Sequence, residues 1–146
     1  MDLSGLWWVA LAVGRSAVDQ AAWMDRLAVL DEARSAAFVR KDASLLDDVY
    51  VPGARERAAD ADLLARYASR GLELESVRFT LLRFRVERRT AGRVVLRVVD
   101  RLEPVRVRQH GGAWREMPRD GATERRIVVH DTAAGWRIGS VQRLAG

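Results

Sequence analysis

The chain has 146 residues, 49% of them apolar and 31% charged, which suits one domain with an ordinary core and excludes a wholly disordered chain. It contains no cysteine, so disulfides, thiolate metal sites and a cysteine nucleophile are excluded. The formal net charge of +5 is uneven: residues 1–71 hold 9 basic and 11 acidic side chains, and residues 72–146 hold 16 and 9.

Leu3–Gly14 (LSGLWWVALAVG) is apolar, with Trp7 and Trp8 adjacent. It is too short for a bilayer span, which needs about 20 residues. Its length suits the apolar core of a signal peptide, but Asp2 stands where a basic flank belongs. Three readings stay open for residues 1–16: a helix packed on the domain, the remnant of a membrane anchor, or a weak secretory signal.

Ala17–Lys41 reads as an amphipathic helix, since Trp23, Leu27, Leu30, Ala37 and Phe38 recur at helical spacing. Arg34 falls on that apolar stripe. It is expected to lay its stem along the core edge and keep its head in water, the alternative being that it reaches the interior. Asp42 is placed to cap a short helix over Ala43–Tyr50 that buries Leu45, Leu46 and Val49, and Val51-Pro52-Gly53 breaks it. A third helix is predicted from about Asp60, with Leu63, Leu64 and Tyr67 inward, and Gly71 closes it.

From Leu72 the apolar period becomes two. Val77, Phe79 and Leu81 alternate, then Leu82, Phe84 and Val86 alternate in the opposite phase, which marks a bulge. Ala91-Gly92 turns into Arg93–Gln109, predicted as one long bent strand. Val94, Leu96, Val98, Asp100 and Leu102 share one face, and Arg93, Arg97 and Arg101 take the other; after Pro104 the apolar set moves to Val105 and Val107, which reads as a second bulge, on the strand next to the first. Gln109–Thr123 reads as a loop. Glu124–Asp131 and Trp136–Leu144 complete a set of about four antiparallel strands. Helices first and strands after is an α+β order.

Phe38–Tyr50 (FVRKDASLLDDVY), Val-Tyr-Val-Pro-Gly53, Val-Val-Asp-Arg-Leu102 and the closing Gly135-Trp-Arg-Ile138 resemble elements of the nuclear transport factor 2-like, or SnoaL-like, superfamily. Within it the chain is similar to small extracytoplasmic domains of GC-rich bacteria. The resemblance covers roughly residues 17–144. It implies an α+β cone over residues 17–146, with helices on the concave face of a strongly curved antiparallel sheet and room for a small apolar ligand at the wide end. It also implies an extracytoplasmic or membrane-associated setting, with membrane contact through the N-terminal segment.

Asp100 is the acid on the inward face of the long strand. Two roles are open to it: a pocket acid or base, or an internal ion pair with an arginine such as Arg34 or Arg106 that fixes the bend. The ion pair takes precedence. The expected pocket is lined by Arg34, Tyr50, Tyr67, Leu96, Val98, Asp100 and His130. The isomerase-like members carry their acidic catalytic residue soon after the second helix, where this chain has Val51–Glu56, so no catalytic role transfers there. His110 and His130 make no local metal motif, and no phosphate loop or nucleophile turn is present, so no metal or cofactor is expected.

Three functions follow as expectations. The first is a non-catalytic, envelope-associated cone that binds a partner protein or a small apolar ligand, with a homodimer formed through the outer sheet face of Arg93, Val95, Arg97, Val99 and Arg101. The second is an isomerase or cyclase using Asp100. The third is a basic surface for an anionic polymer. Nucleic acid is disfavoured, because the arginines alternate along strands and no RNA-binding aromatic signature accompanies them.

Overall fold

The computed structural model describes residues 4–118 and 121–144, with side chains described from Asp19 onward. Helix α1 spans Ser4–Arg40, a 3-10 helix spans Ala43–Asp48, and helix α2 spans Arg55–Ser69. The strands are β1 (Leu72–Leu74), β2 (Phe79–Arg89), β3 (Arg93–Leu102), β4 (Arg106–Gln109), β5 (Arg115–Glu116), β6 (Thr123–Thr132) and β7 (Gly135–Arg143). A four-stranded antiparallel sheet has the order β2-β3-β6-β7, and a smaller sheet has the order β1-β4-β5.

The helix predicted from Ala17 is continuous with residues 4–16. No described helix is long and apolar enough to cross a membrane. Helix α1 ends at Lys41, which takes the left-handed conformation (φ 56°). The Asp42 and Lys41 amides donate to the Ala37 and Phe38 carbonyls, as in a Schellman cap. Asp42 then caps the 3-10 helix as expected, accepting from the Ser44 amide at 3.0 Å. Helix α2 begins at Arg55, so Asp60 is mid-helix and not a cap. Its carboxylate is needed elsewhere.

The expected long strand is two strands. β3 belongs to the large sheet and β4 to the small one, with the chain crossing at Glu103-Pro104-Val105. No bulge absorbs the change of apolar phase there. The register is the same on both sides, with Leu74 opposite Val107 and Phe79 opposite Leu102. Glu103 N–H donates to the Arg78 carbonyl and Glu75 N–H to the Arg106 carbonyl. The β1–β2 and β3–β4 ribbon therefore turns its other face to the core as it changes sheet, and Val105 and Val107 join Val94, Leu96 and Val98 in one cluster.

The slip expected at Leu81-Leu82 is a bulge: Leu81 pairs Asp100 and Arg83 pairs Val99, leaving Leu82 extra and exposed. A second extra residue is Glu87, and a third is Gly139 on β7. All three lie on the edge strands, not on neighbouring strands as the two phase changes had suggested. Bulges there curl the sheet's rims. The β7 edge is covered at its bulge by residues 49–51, through Ile138 N–H to the Val49 carbonyl (2.7 Å) and Val51 N–H to the Ile138 carbonyl (2.9 Å). The predicted loop Gln109–Thr123 contains the short strand β5. Trp114 lies over the Arg108 guanidinium, 4.4 Å from its ring centre, which tucks this segment onto the small sheet.

Candidate functional site

The concave face of the large sheet and the inner side of α1 leave two adjoining chambers of about 220 Å³ and 260 Å³. Leu27, Asp31, Phe79 and Arg125 line both and form the partition. Each chamber is near or below the lower end, about 300 Å³, of sites for drug-sized ligands.

One wall of the first chamber is a cross-link of three elements. Arg34 Nε donates to Asp60 Oδ2 at 2.7 Å and Nη2 to Oδ1 at 3.0 Å, while Tyr50 O–H donates to the same Oδ2 at 2.7 Å. Arg34 comes from α1, Asp60 from α2, and Tyr50 from the segment bound to β7. Burial works against the Arg34 charge, but the hydrogen bonds and attraction of Asp60 outweigh it and strengthen its hold on the proton. Burial, with Asp60 adding to it, pushes the Tyr50 phenol well above its ordinary value against the opposing pull of Arg34. Arg34 thus turns inward, contrary to the expectation that its head would seek water. Glu56 stands in the same wall, with Oε1 accepting from Val141 N–H at 3.0 Å and Oε2 buried without a partner.

The second chamber holds Asp100. Its side chain is 4% exposed and pairs with Arg125 through Nη2 to Oδ2, so its partner is neither Arg34 nor Arg106. Asp100 Oδ1 and Arg125 Nε are buried and unpartnered. The Arg125 guanidinium lies 4.8 Å from the Phe79 ring centre. Met24, Leu27 and Leu81 give this chamber an apolar wall. At its rim Arg78 Nη1 meets Glu32 Oε2 at 2.6 Å, joining β2 to α1.

Between the chambers stands Asp31, a residue the sequence reading did not single out. Its Oδ2 accepts a long hydrogen bond, 3.4 Å, from Phe79 N–H, and no ion pair of Asp31 is found among the described residues. Burial raises its pKa above the ordinary aspartate value; the Phe79 amide and the charges of Arg34 and Arg125 oppose that rise, and Asp100 adds to it.

Of the expected pocket residues, Arg34 and Tyr50 line the first chamber and Asp100 the second. Leu96 and Val98 lie in the core and line neither. Tyr67 packs on Phe38, with ring centres 6.4 Å apart. His130 stands opposite Arg93 and Arg137 and lies over Gly139; it shares strand parity with Val128, so it is on the convex side. His110 is exposed and pairs with Glu73. No group of three or more metal-binding side chains converges among the described residues.

No family profile and no curated protein matches the chain. Solved structures do. The intermembrane space region of the chloroplast protein ARC6 superposes with a TM-score of 0.60 at 18% identity, over 87% of this chain and 97% of that one. An NTF2-like protein with a cystatin-like fold from Novosphingobium aromaticivorans gives 0.50 at 17% identity, over 97% and 88%. A provisionally assigned dehydratase of the NTF2-like family from Streptomyces avermitilis gives 0.50 at 14%, over 84% and 95%. The helices on a curled antiparallel sheet and these superpositions agree: the chain carries the cystatin-like α+β fold of the nuclear transport factor 2-like proteins.

Proposed function

We propose that this chain is a non-catalytic binding domain that holds a small molecule between α1 and the large sheet. One observation carries the reading. Asp60 and Asp100 are engaged by arginines, while two chambers and several unpartnered polar atoms remain beside them. An acid fixed by a guanidinium serves placement and charge balance better than it serves proton transfer, and the space beside it serves a guest. An envelope-associated setting belongs to the same reading. It is supported by the apolar Leu3–Gly14 segment at the start of α1 and by the fold shared with an intermembrane-space region.

The test is a small-fragment screen on the purified chain, read by methyl NMR. Binding in the chambers moves the Leu27, Leu30, Leu81 and Ile127 methyls together, and Leu81→Trp, which fills the second chamber, abolishes the shifts there. Shifts confined to exposed methyls, or none at all, reject the proposal.

Asp31 favours a second reading, an isomerase or cyclase, because it combines a raised pKa with a place at the partition. Given a turned-over substrate, Asp31→Asn would stop the reaction and Asp100→Asn would only slow it. Unchanged turnover in Asp31→Asn rejects this reading.

A further inference from the structure

The outward side of the large sheet is dominated by one sign of charge. Strand parity turns Val94, Leu96 and Val98 into the core, so Arg93, Arg97 and Arg101 of β3 point outward. The register sets Arg83, Arg85 and Arg88 of β2 beside Val99, Arg97 and Val95 on that same side. Arg85 stands directly opposite Arg97, and Arg97 opposite Arg126. Like charges so placed repel. Two carboxylates answer part of the row: Glu124 holds Arg97 at 2.5 Å and Glu87 holds Arg126 at 2.9 Å. Arg83, Arg85, Arg88, Arg93 and Arg101 are exposed, and no salt bridge of theirs is found among the described residues. An open hollow of about 620 Å³ lies among Arg83, Arg85, Arg97 and Glu124, with Phe84 and Val99 completing its lining. Val95 and Val128 share the outward side yet are buried, as happens where long side chains lay their stems across apolar neighbours. They offer little apolar area to a second copy, and two such faces brought together would set arginine against arginine.

Resting on the envelope-associated part of the proposed function, we infer that this face docks on an anionic lipid surface, with a headgroup phosphate in the hollow between Arg83, Arg85 and Arg97. The planar guanidinium matches a phosphate with two parallel hydrogen bonds, and an anion between facing arginines relieves their repulsion. Three observations select lipid. No Phe, Tyr or Trp stands among the outward residues to stack a base, as a single-stranded nucleic acid requires; a headgroup layer requires none. The charge is one-sided: residues 1–71, which hold the helices, carry 9 basic and 11 acidic side chains, and residues 72–146, which hold the strands, carry 16 and 9. An anionic plane therefore attracts the sheet side and not the helical side. The β2–β3 hairpin that bears six of these arginines also holds Asp19 of α1 through Arg89, a few residues along the chain from the apolar Leu3–Gly14 segment.

The experiment is co-sedimentation of the full chain with two kinds of vesicle, phosphatidylcholine alone and equal parts phosphatidylcholine and phosphatidylglycerol. The chain is expected to bind the mixed vesicles more tightly, and added salt is expected to weaken that binding. Changing Arg83, Arg85 and Arg88 together to Gln should weaken it about a hundredfold, at about fivefold for each arginine near an anionic surface. Arg66→Gln with Arg70→Gln, which removes two exposed charges from the helical side, should leave it nearly unchanged. Equal binding to both vesicles overturns the inference and leaves the envelope setting to the apolar segment. A triple variant that binds like the parent, or a helical-side pair that costs as much per charge, overturns it in the same way. Tighter binding to heparin than to the mixed vesicles gives the face to a linear polymer and overturns it. Light scattering that shows a parent dimer made monomeric by the triple change gives the face to a second copy and overturns it too. No binding to either vesicle overturns both the inference and the envelope setting, while the chambers are judged by the fragment screen.

Discussion

Arg125 reaches Asp100 diagonally across two strands: the register pairs Asp100 with Thr123, and Arg125 with Val98. The pair sits two residues before β3 ends at Leu102, where the ribbon leaves the large sheet. Asp100 therefore ties the bend to β6 at the wall of the second chamber.

Removing one member of this pair should be costly. Asp100→Ala leaves the Arg125 guanidinium without its counter-charge in a part-buried place, and a loss of about 3 kcal/mol is expected, the low end for a broken buried pair because Arg125 keeps 23% exposure. The double change Asp100→Leu with Arg125→Met should recover most of that loss, since apolar replacement of a whole pair is often neutral. Urea denaturation of the two singles and the double gives the coupling directly. Additive losses would show that the pair does not hold the bend.

The strands were legible because their apolar residues alternate. The bulge at Leu82 was visible as a break in that alternation. The crossing at Glu103–Val105 looked like another bulge, because a ribbon that turns over changes apolar phase just as an extra residue does. The site was legible only in part. Arg34 and Asp100 stood out as charges on apolar faces. Asp31 did not, since next to Leu30 on a helix an acid reads as the flank of the stripe; only the crossing of α1 over Phe79 places it inside. Asp60 resembled a helix cap for the same local reason, and Arg125 was one of many arginines alternating along strands.

Tyr50 should be felt in both stability and titration. Tyr50→Phe removes the 2.7 Å hydrogen bond to Asp60 and should cost about 1.5–3 kcal/mol, the range for a bond to a charged partner. The Tyr50 phenol is held above its ordinary value of about 10. Its ultraviolet titration should therefore show a late phase that Tyr50→Phe abolishes and Tyr67→Phe retains. The sign for stability follows: the contribution is complete below pH 10 and is lost as pH rises through the folded value. A late phase surviving in Tyr50→Phe would refute the assignment.

Gly139 is required by His130 and not by its own backbone. A Cβ at Gly139 would lie 2.4 Å from His130 Cδ2 and 2.6 Å from Nε2. Gly139→Ala must displace the imidazole or flatten the β7 bulge, at a cost of about 1–3 kcal/mol as for other overpacked sites. Adding His130→Ala should restore most of the stability, as measured by thermal denaturation. If the double variant stays as unstable as Gly139→Ala, the bulge itself demands the glycine.

Asp31 should behave as a group that the folded state tolerates at a loss. Its folded pKa is raised, chiefly by burial, so between the unfolded value, about 3.9, and the higher folded value the native chain binds more protons than the unfolded one. Stability then falls as pH rises through that window and stays lower above it. Asp31→Asn keeps an oxygen for the Phe79 amide and removes the charge. It should therefore be more stable than the parent at pH 7, with the difference closing as the pH is lowered below the aspartate range. Denaturation midpoints for both chains across that range check the sign. A destabilised Asp31→Asn at pH 7 would mean that the carboxylate is a structural tie.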